Sequence, residues 1–284
     1  MTRRVRERRR DWVDEEVGSW LLGAGEVRRP FAGRSSSRPR PFIVETQGER
    51  HLLFTHDSVQ SSMRIDDPYA LTCEYTRRMM AFLLFVPEPR EIVLIGLGGG
   101  SLAKYCYRLL DTAHLVAVEI DADVIALRDE FCIPLDDARF RVEHADGARY
   151  LARRAEPLDV LLVDAFDANG VAPSLATPEF YRHAQQRLAD RGVLVMNMAG
   201  EPSRYDVHMK LAHDAFAGRV LLAPVQSGGN HLLFALNGGV ELDPATLRAR
   251  AEGWYARLGL DFPFYLRWLQ RVDAGGVLRA SGNS

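Results

Sequence analysis

Two aspartates three residues apart, Asp164 and Asp167, follow directly on the apolar run DVLLV at residues 159–163. Paired carboxylates just beyond a buried strand can hold a protonated amine and accept its proton as the nitrogen becomes a nucleophile. A second stretch, EIVLIGLGGGS at residues 91–101, ends another apolar run in Gly96, Gly98, Gly99 and Gly100. Glycines at that point permit a tight turn and let backbone N–H groups approach a ligand closely. The spacing Gly96-x-Gly98-x-Gly100, followed by Ser101, is common to several nucleotide-binding families. It leaves a dinucleotide and an adenosyl sulfonium both open.

Glu119 closes the next apolar run, twenty-three residues after Gly96. A carboxylate there can accept both ribose hydroxyls and would repel a 2′-phosphate. Asp121 reads as the cap of the following helix. Asp146-Gly147 follows a third run, where the carboxylate can accept from an adenine amino group or the pair can form a plain turn.

Alternating strands and helices must position these groups. Apolar runs predict strands near residues 92–95, 115–120, 140–144, 159–163 and 192–198. Helical spacing falls at 102–110, 122–131, 148–155, 179–188 and 205–216, with a loop over 164–178. This alternation predicts an α/β fold with a Rossmann-like, doubly wound, mainly parallel sheet. The strands at 219–225 and 230–236, joined by a QSGG turn, end it, the last as an antiparallel edge. Four regions are expected. Residues 1–40 form a basic, disordered tail, and 41–67 a small β domain, a hairpin or meander turning at QGER. Residues 68–240 form the Rossmann-like domain, opened by a helix over 68–85. Residues 241–284 form a helical extension of two amphipathic helices broken near Gly259, with Trp254 and Trp268 as packing anchors.

At 284 residues, 47% hydrophobic and 26% charged, the chain has enough apolar content for a substantial core. No run approaches a membrane span, and no apolar segment follows the basic N-terminus to make a secretory signal. Cys73, Cys106 and Cys132 are odd in number and widely spaced, which predicts buried thiols in a reducing cytoplasm. Eleven arginines stand in residues 1–40, so the remaining chain is net acidic and suits a cationic substrate. The basic tail lacks the aromatic interleaving of a nucleic-acid module, and no nucleic-acid partner is expected. Histidines lack metal-ligand spacing, so no metal is expected. GxSxG and Walker lysine patterns are absent, and the only lysines are Lys104 and Lys210.

Taken in order, VQSS at 59–62, VPEP at 86–89, IVLIGLGGGS, VAVEID, ADGARYL and DAFDANGVAP resemble the polyamine aminopropyltransferases, spermidine synthase in particular. That family has the class I methyltransferase-like fold, and the resemblance covers residues 42–236. It implies that residues 68–240 bind decarboxylated S-adenosylmethionine and pass its aminopropyl group to a small cationic amine without a metal. By this resemblance Glu119 holds the ribose, Asp146 the adenine amino group, and Gln60 lines the donor pocket. Asp164 deprotonates the attacking amine and Asp167 helps to hold it. A homo-oligomer, such as a dimer, is also implied. The chain departs from the family in four places: Gly99 replaces an aspartate, and Glu74-Tyr75-Thr76 replaces Tyr-His-Glu. DAFDA replaces DSSDP, and QSGGNH stands where an acceptor-lining Trp belongs. Glu74 is a candidate for the displaced carboxylate, with Tyr75 beside it in the substrate site.

Three rivals remain. An S-adenosylmethionine-dependent methyltransferase would use the Gly98–Ser101 N–H groups for the methionine carboxylate. A non-catalytic relative would bind an adenosyl ligand only. An NAD-dependent dehydrogenase would explain Glu119 but not the two aspartates after the fourth strand.

Overall fold

The computed structural model describes residues 25–28, 40–55, 58–167, 170–199, 205–226, 229–272 and 278–279. The rest of the expected tail, residues 1–24 and 29–39, lies outside the described residues. Four strands come first: β1 (Glu26–Arg28), β2 (Phe42–Thr46), β3 (Glu49–Thr55) and β4 (Ser58–Arg64). Helix α1 (Glu74–Met79) tightens into a 3-10 turn over Met80–Leu84. Alternation follows: β5 (Glu91–Ile95), α2 (Ser101–Leu109), β6 (His114–Glu119), α3 (Ala122–Ile125), β7 (Phe140–His144), α4 (Gly147–Arg153) and β8 (Leu158–Val163). Two short strands, β9 (Phe166–Asp167) and β10 (Gly170–Val171), lead to α5 (Pro178–Arg187), β11 (Leu188–Met198), α6 (Tyr205–Ala215), β12 (Val220–Pro224) and β13 (His231–Leu236). The chain continues through α7 (Pro244–Leu258), α8 (Phe262–Tyr265), β14 (Gln270–Val272) and β15 (Leu278–Arg279).

These elements form two compact units. The first comprises Met1–Cys73, Gly98–Tyr105 and Asp121–Pro134; the second comprises Glu74–Leu97, Cys106–Ile120 and Leu135–Ser284.

In the first unit β1 to β4 form an antiparallel sheet in chain order. The expected QGER turn is present: Gln47 and Gly48 take positive φ of 50° and 78°, which reverses β2 into β3. Phe42, Val44 and Leu53 form its apolar core. Residues 26–28, expected within a disordered tail, instead pair with β2, and Arg28 is bonded to Glu45 (3.0 Å) and Glu130 (2.8 Å). The helix expected over 122–131 stops at Ile125. Beyond it the chain runs as i→i−3 turns, from Leu127 N–H to Val124 O and Arg128 N–H to Ile125 O. Arg50 donates to the Glu130 carbonyl, and the fully buried Lys104 Nζ donates to Phe131 O at 2.7 Å. Burial lowers the Lys104 pKa to about 8. The expected helix over 68–85 likewise begins only at Glu74, because the Thr72 hydroxyl bonds to the Ser62 carbonyl (3.0 Å) ahead of it. Cys132 is exposed, contrary to the expected burial, since its φ of 53° places it at a chain reversal.

In the second unit, the described residues form a nine-stranded sheet ordered β15-β14-β12-β13-β11-β8-β5-β6-β7. From β7 to β11 neighbours are parallel. The chain steps outward from β5 through β6 to β7, then crosses to β8 on the other side of β5. That crossing is the topological switch point where such sheets bind ligands. The fold class is the expected one, with one rearrangement. The antiparallel strand β13 is not an edge but lies between β11 and β12. Its sequence HLLFAL is buried on both faces from Leu232 onward, and an edge place would leave one side of it unpaired. The expected helical extension supplies strands too, with β14 pairing with β12 and β15 with β14. Its helix α7 ends, as expected, at Gly259 in the left-handed region, and Trp254 is buried, but Trp268 is 39% exposed and rests near Phe264. The expected plain loop over 164–178 contains the β9–β10 hairpin. No helix among the described residues is long and apolar enough to cross a membrane.

Candidate active site

The ends of β5, β6 and β8 meet at the switch point of the second unit. Gly96 N–H donates to Val118 O (2.8 Å), and Asp164 N–H donates to Ile95 O (2.9 Å). Gly96 has φ of 93°, and a β-carbon there would run into the Asp164 carbonyl. The next N–H, of Leu97, donates to the buried Glu119 carboxylate at 2.8 Å, fixing it against the turn. Ala145 N–H donates to Glu119 O (2.9 Å), which brings Asp146 and Gly147 alongside. Asp146 caps α4, accepting from Arg149 N–H at 2.9 Å. A side chain at Gly147 would overlap Ile95 Cγ2, so glycine lets α4 start hard against β5. Gly96, Glu119, Asp146, Gly147 and Asp164 are therefore brought together.

Asp164 is the most constrained group of this cluster. Asn197 Nδ2, from β11, donates to Asp164 Oδ1 at 2.9 Å, and the Tyr75 hydroxyl donates to the same carboxylate. Asn230 Nδ2 in turn donates to Asn197 Oδ1 at 2.9 Å. Burial raises the Asp164 pKa above the ordinary carboxylate value, while the bonds from Asn197 and Tyr75 pull it back. Sequence reasoning missed Asn197 and Asn230. One signal was visible: Asn197 is the sole polar residue in the apolar run VLVMNM, and it is 2% exposed.

Other expected residues lie elsewhere. Glu74 pairs with Arg78 at 3.2 Å, and Arg78 reaches the Asp261 carbonyl (3.0 Å) and the face of Tyr265. Glu74, Arg78 and Asp261 line part of a cavity of about 160 Å³ together with Leu260 and Phe262. Consecutive helical residues point about 100° apart, so turning Tyr75 to Asp164 directs Glu74 away from it. Asp167 lies on β9, and its side chain falls outside the described residues. Gln60, Gly98 and Gly100 belong to the first unit, Gln60 on β4. There Gly98 and Gly100 have φ of 52° and 69°. A β-carbon at Gly99 would stand 2.7 Å from Ser61 Oγ and 2.9 Å from Phe131 Cδ1, so a side chain at this position would require those side chains to shift. No group of three or more potential metal ligands occurs among the described residues.

A family model described as the spermine/spermidine synthase domain matches residues 72–215. A polyamine aminopropyltransferase of Chromobacterium violaceum is 34% identical over 248 residues, covering 87% of this chain and 95% of that protein. A polyamine aminopropyltransferase of Neisseria meningitidis is 36% identical over 230 residues, covering 80% and 88%. Among solved structures, a probable spermidine synthase from Corynebacterium glutamicum superposes with a TM-score of 0.65 at 20% identity. That match covers 90% of this chain and 98% of that one, and at such identity it speaks to fold alone.

Proposed function

Because the chain belongs to the spermine/spermidine synthase family, we propose that it is a transferase moving an aminopropyl group from decarboxylated S-adenosylmethionine to a small amine. The arrangement around Asp164 carries this reading. An amine attacks the carbon bound to the sulfonium, the new C–N bond forms, and the C–S bond breaks with its electron pair left on sulfur. The amine must lose one proton, and a carboxylate at a strand end takes it. Asp164 suits that role because burial raises its pKa, making it a better proton acceptor, while the bonds from Asn197 and Tyr75 favour the ionised form. Glu119, fixed by Leu97 N–H, would accept the ribose hydroxyls, and Asp146 the adenine amino group. Positioning supplies much of the remaining acceleration, since a sulfonium is already a good leaving group.

The test is Asp164→Asn, assayed with decarboxylated donor and putrescine. Turnover should fall by roughly 10²–10⁴-fold, the range for a lost general base, with the melting temperature retained. Undiminished turnover would remove Asp164 from the chemistry.

A second reading, methyl transfer from S-adenosylmethionine, is favoured by Gly99. No acidic side chain stands there to oppose a donor carboxylate, and one would have to displace Ser61 and Phe131. Calorimetric titration with both donors separates the readings, since tighter binding of the carboxylated donor supports methyl transfer and tighter binding of the decarboxylated one excludes it.

A further inference from the structure

An amide side chain presents an acceptor oxygen at one end and two N–H donors at the other. Which end meets a neighbour is decided by what the opposite end meets. The Asn197 amide stands between Asp164 and Asn230, and Asn230 Nδ2 occupies its oxygen. Asn230 is itself held by its backbone, whose carbonyl accepts from Val225 N–H at 2.8 Å. The geometry points to Asn230 as a positioning residue that sets the sense of the Asn197 amide, so that Asp164 receives an N–H and not an oxygen.

An ionised carboxylate requires a donor at that place, whereas a protonated one would pair equally well with an oxygen. The relay therefore favours the ionised state of Asp164, the one that accepts a proton. It reaches Asp164 from the turn between β12 and β13, two hydrogen bonds away. From α1 the titratable group facing Asp164 is Tyr75, already a donor; β11 contributes the neutral Asn197; the end of β5 contributes the Gly96 backbone. His231, next to Asn230 in sequence, turns to the ring of Tyr205, 5.2 Å between centroids.

The inference deepens the proposed function and rests on it only for the rate measurement. Asn230→Ala and Asn230→Asp are compared with the wild type in the full chain. Two readouts are taken: the Asp164 carboxyl titration by carbon NMR, assigned with Asp164→Asn, and the pH profile of aminopropyl transfer. In Asn230→Ala the carboxyl midpoint should rise by about one pH unit, a tenfold change, as expected for a weakened bond to the ionised form. The acid limb of kcat should move with it. In Asn230→Asp, an acceptor of the same shape, the amide reverses and the shift is larger. An unchanged midpoint in both variants overturns the relay. A shift in Asn230→Asp without one in Asn230→Ala also overturns it, since charge alone would then account for the effect. A wild type without aminopropyl transfer would defeat the proposed function, and the carboxyl titration would still decide the relay.

Discussion

The Gly96 backbone lies so close to Asp164 that a β-carbon at residue 96 would stand 2.8 Å from the Asp164 carbonyl carbon. The same glycine has φ of 93°, a conformation that side chains with a β-carbon rarely adopt. One residue thereby sets both the turn after β5 and the spacing between the ends of β5 and β8.

Gly96→Ala should therefore cost roughly 2–4 kcal/mol, the range for backbone strain joined to a steric clash that only the backbone can relieve. Urea denaturation measures the loss. Turnover at a temperature where the variant is still folded should also fall, because Asp164 must move. Wild-type stability together with wild-type turnover would show that the turn relaxes freely.

Gly99 tests a different kind of crowding, one made by side chains. Gly99→Ala should destabilise by about 1–3 kcal/mol, the usual cost of overpacking. Ser61→Gly should recover part of that loss in the double variant, because Ser61 supplies the 2.7 Å contact while Phe131 remains at 2.9 Å. A double-mutant cycle reads the coupling directly, and strictly additive losses would contradict the shared contact.

His208 governs the acid side of the stability curve. It is buried beneath the sheet, with its Nδ1 2.7 Å from the Tyr181 hydroxyl, and burial lowers its pKa from 6.5 to about 4. Between those values the unfolded chain binds the proton and the folded chain does not. This contribution is therefore present above about pH 6.5 and is lost as pH falls toward about 4. His208→Leu should flatten Tm against pH in that window, while lowering stability at pH 7 by about 1 kcal/mol for the lost hydrogen bond. An equally steep profile in the variant would assign the acid sensitivity to other groups.

Much of the site was legible because its determinants are local. The glycines after residue 95, Glu119 and Asp146-Gly147 each announce themselves within a few residues of a strand end. Asp164 was legible for the same reason. Asn197 and Asn230 were not, since their roles depend on pairing β11 with β13, 33 residues apart in sequence. The place of β13 was misread on the same ground. A turn shows that two strands are neighbours, but not that a third lies on the far side of the second. The shortening of the helix after Ile125 had a further cause, the holding of the Glu130 and Phe131 carbonyls by Arg50 and Lys104 from distant segments.

The insertion of β13 between β11 and β12 also fixes an order of events during synthesis. A nascent chain that has just delivered Val225 from the ribosome already contains Asp164, Tyr75 and Asn197 but not the residue that orients the amide. The slot beside β11 stays open until residues 231–236 emerge, so a chain interrupted before then would carry its acidic group on an unfinished sheet with an exposed strand edge.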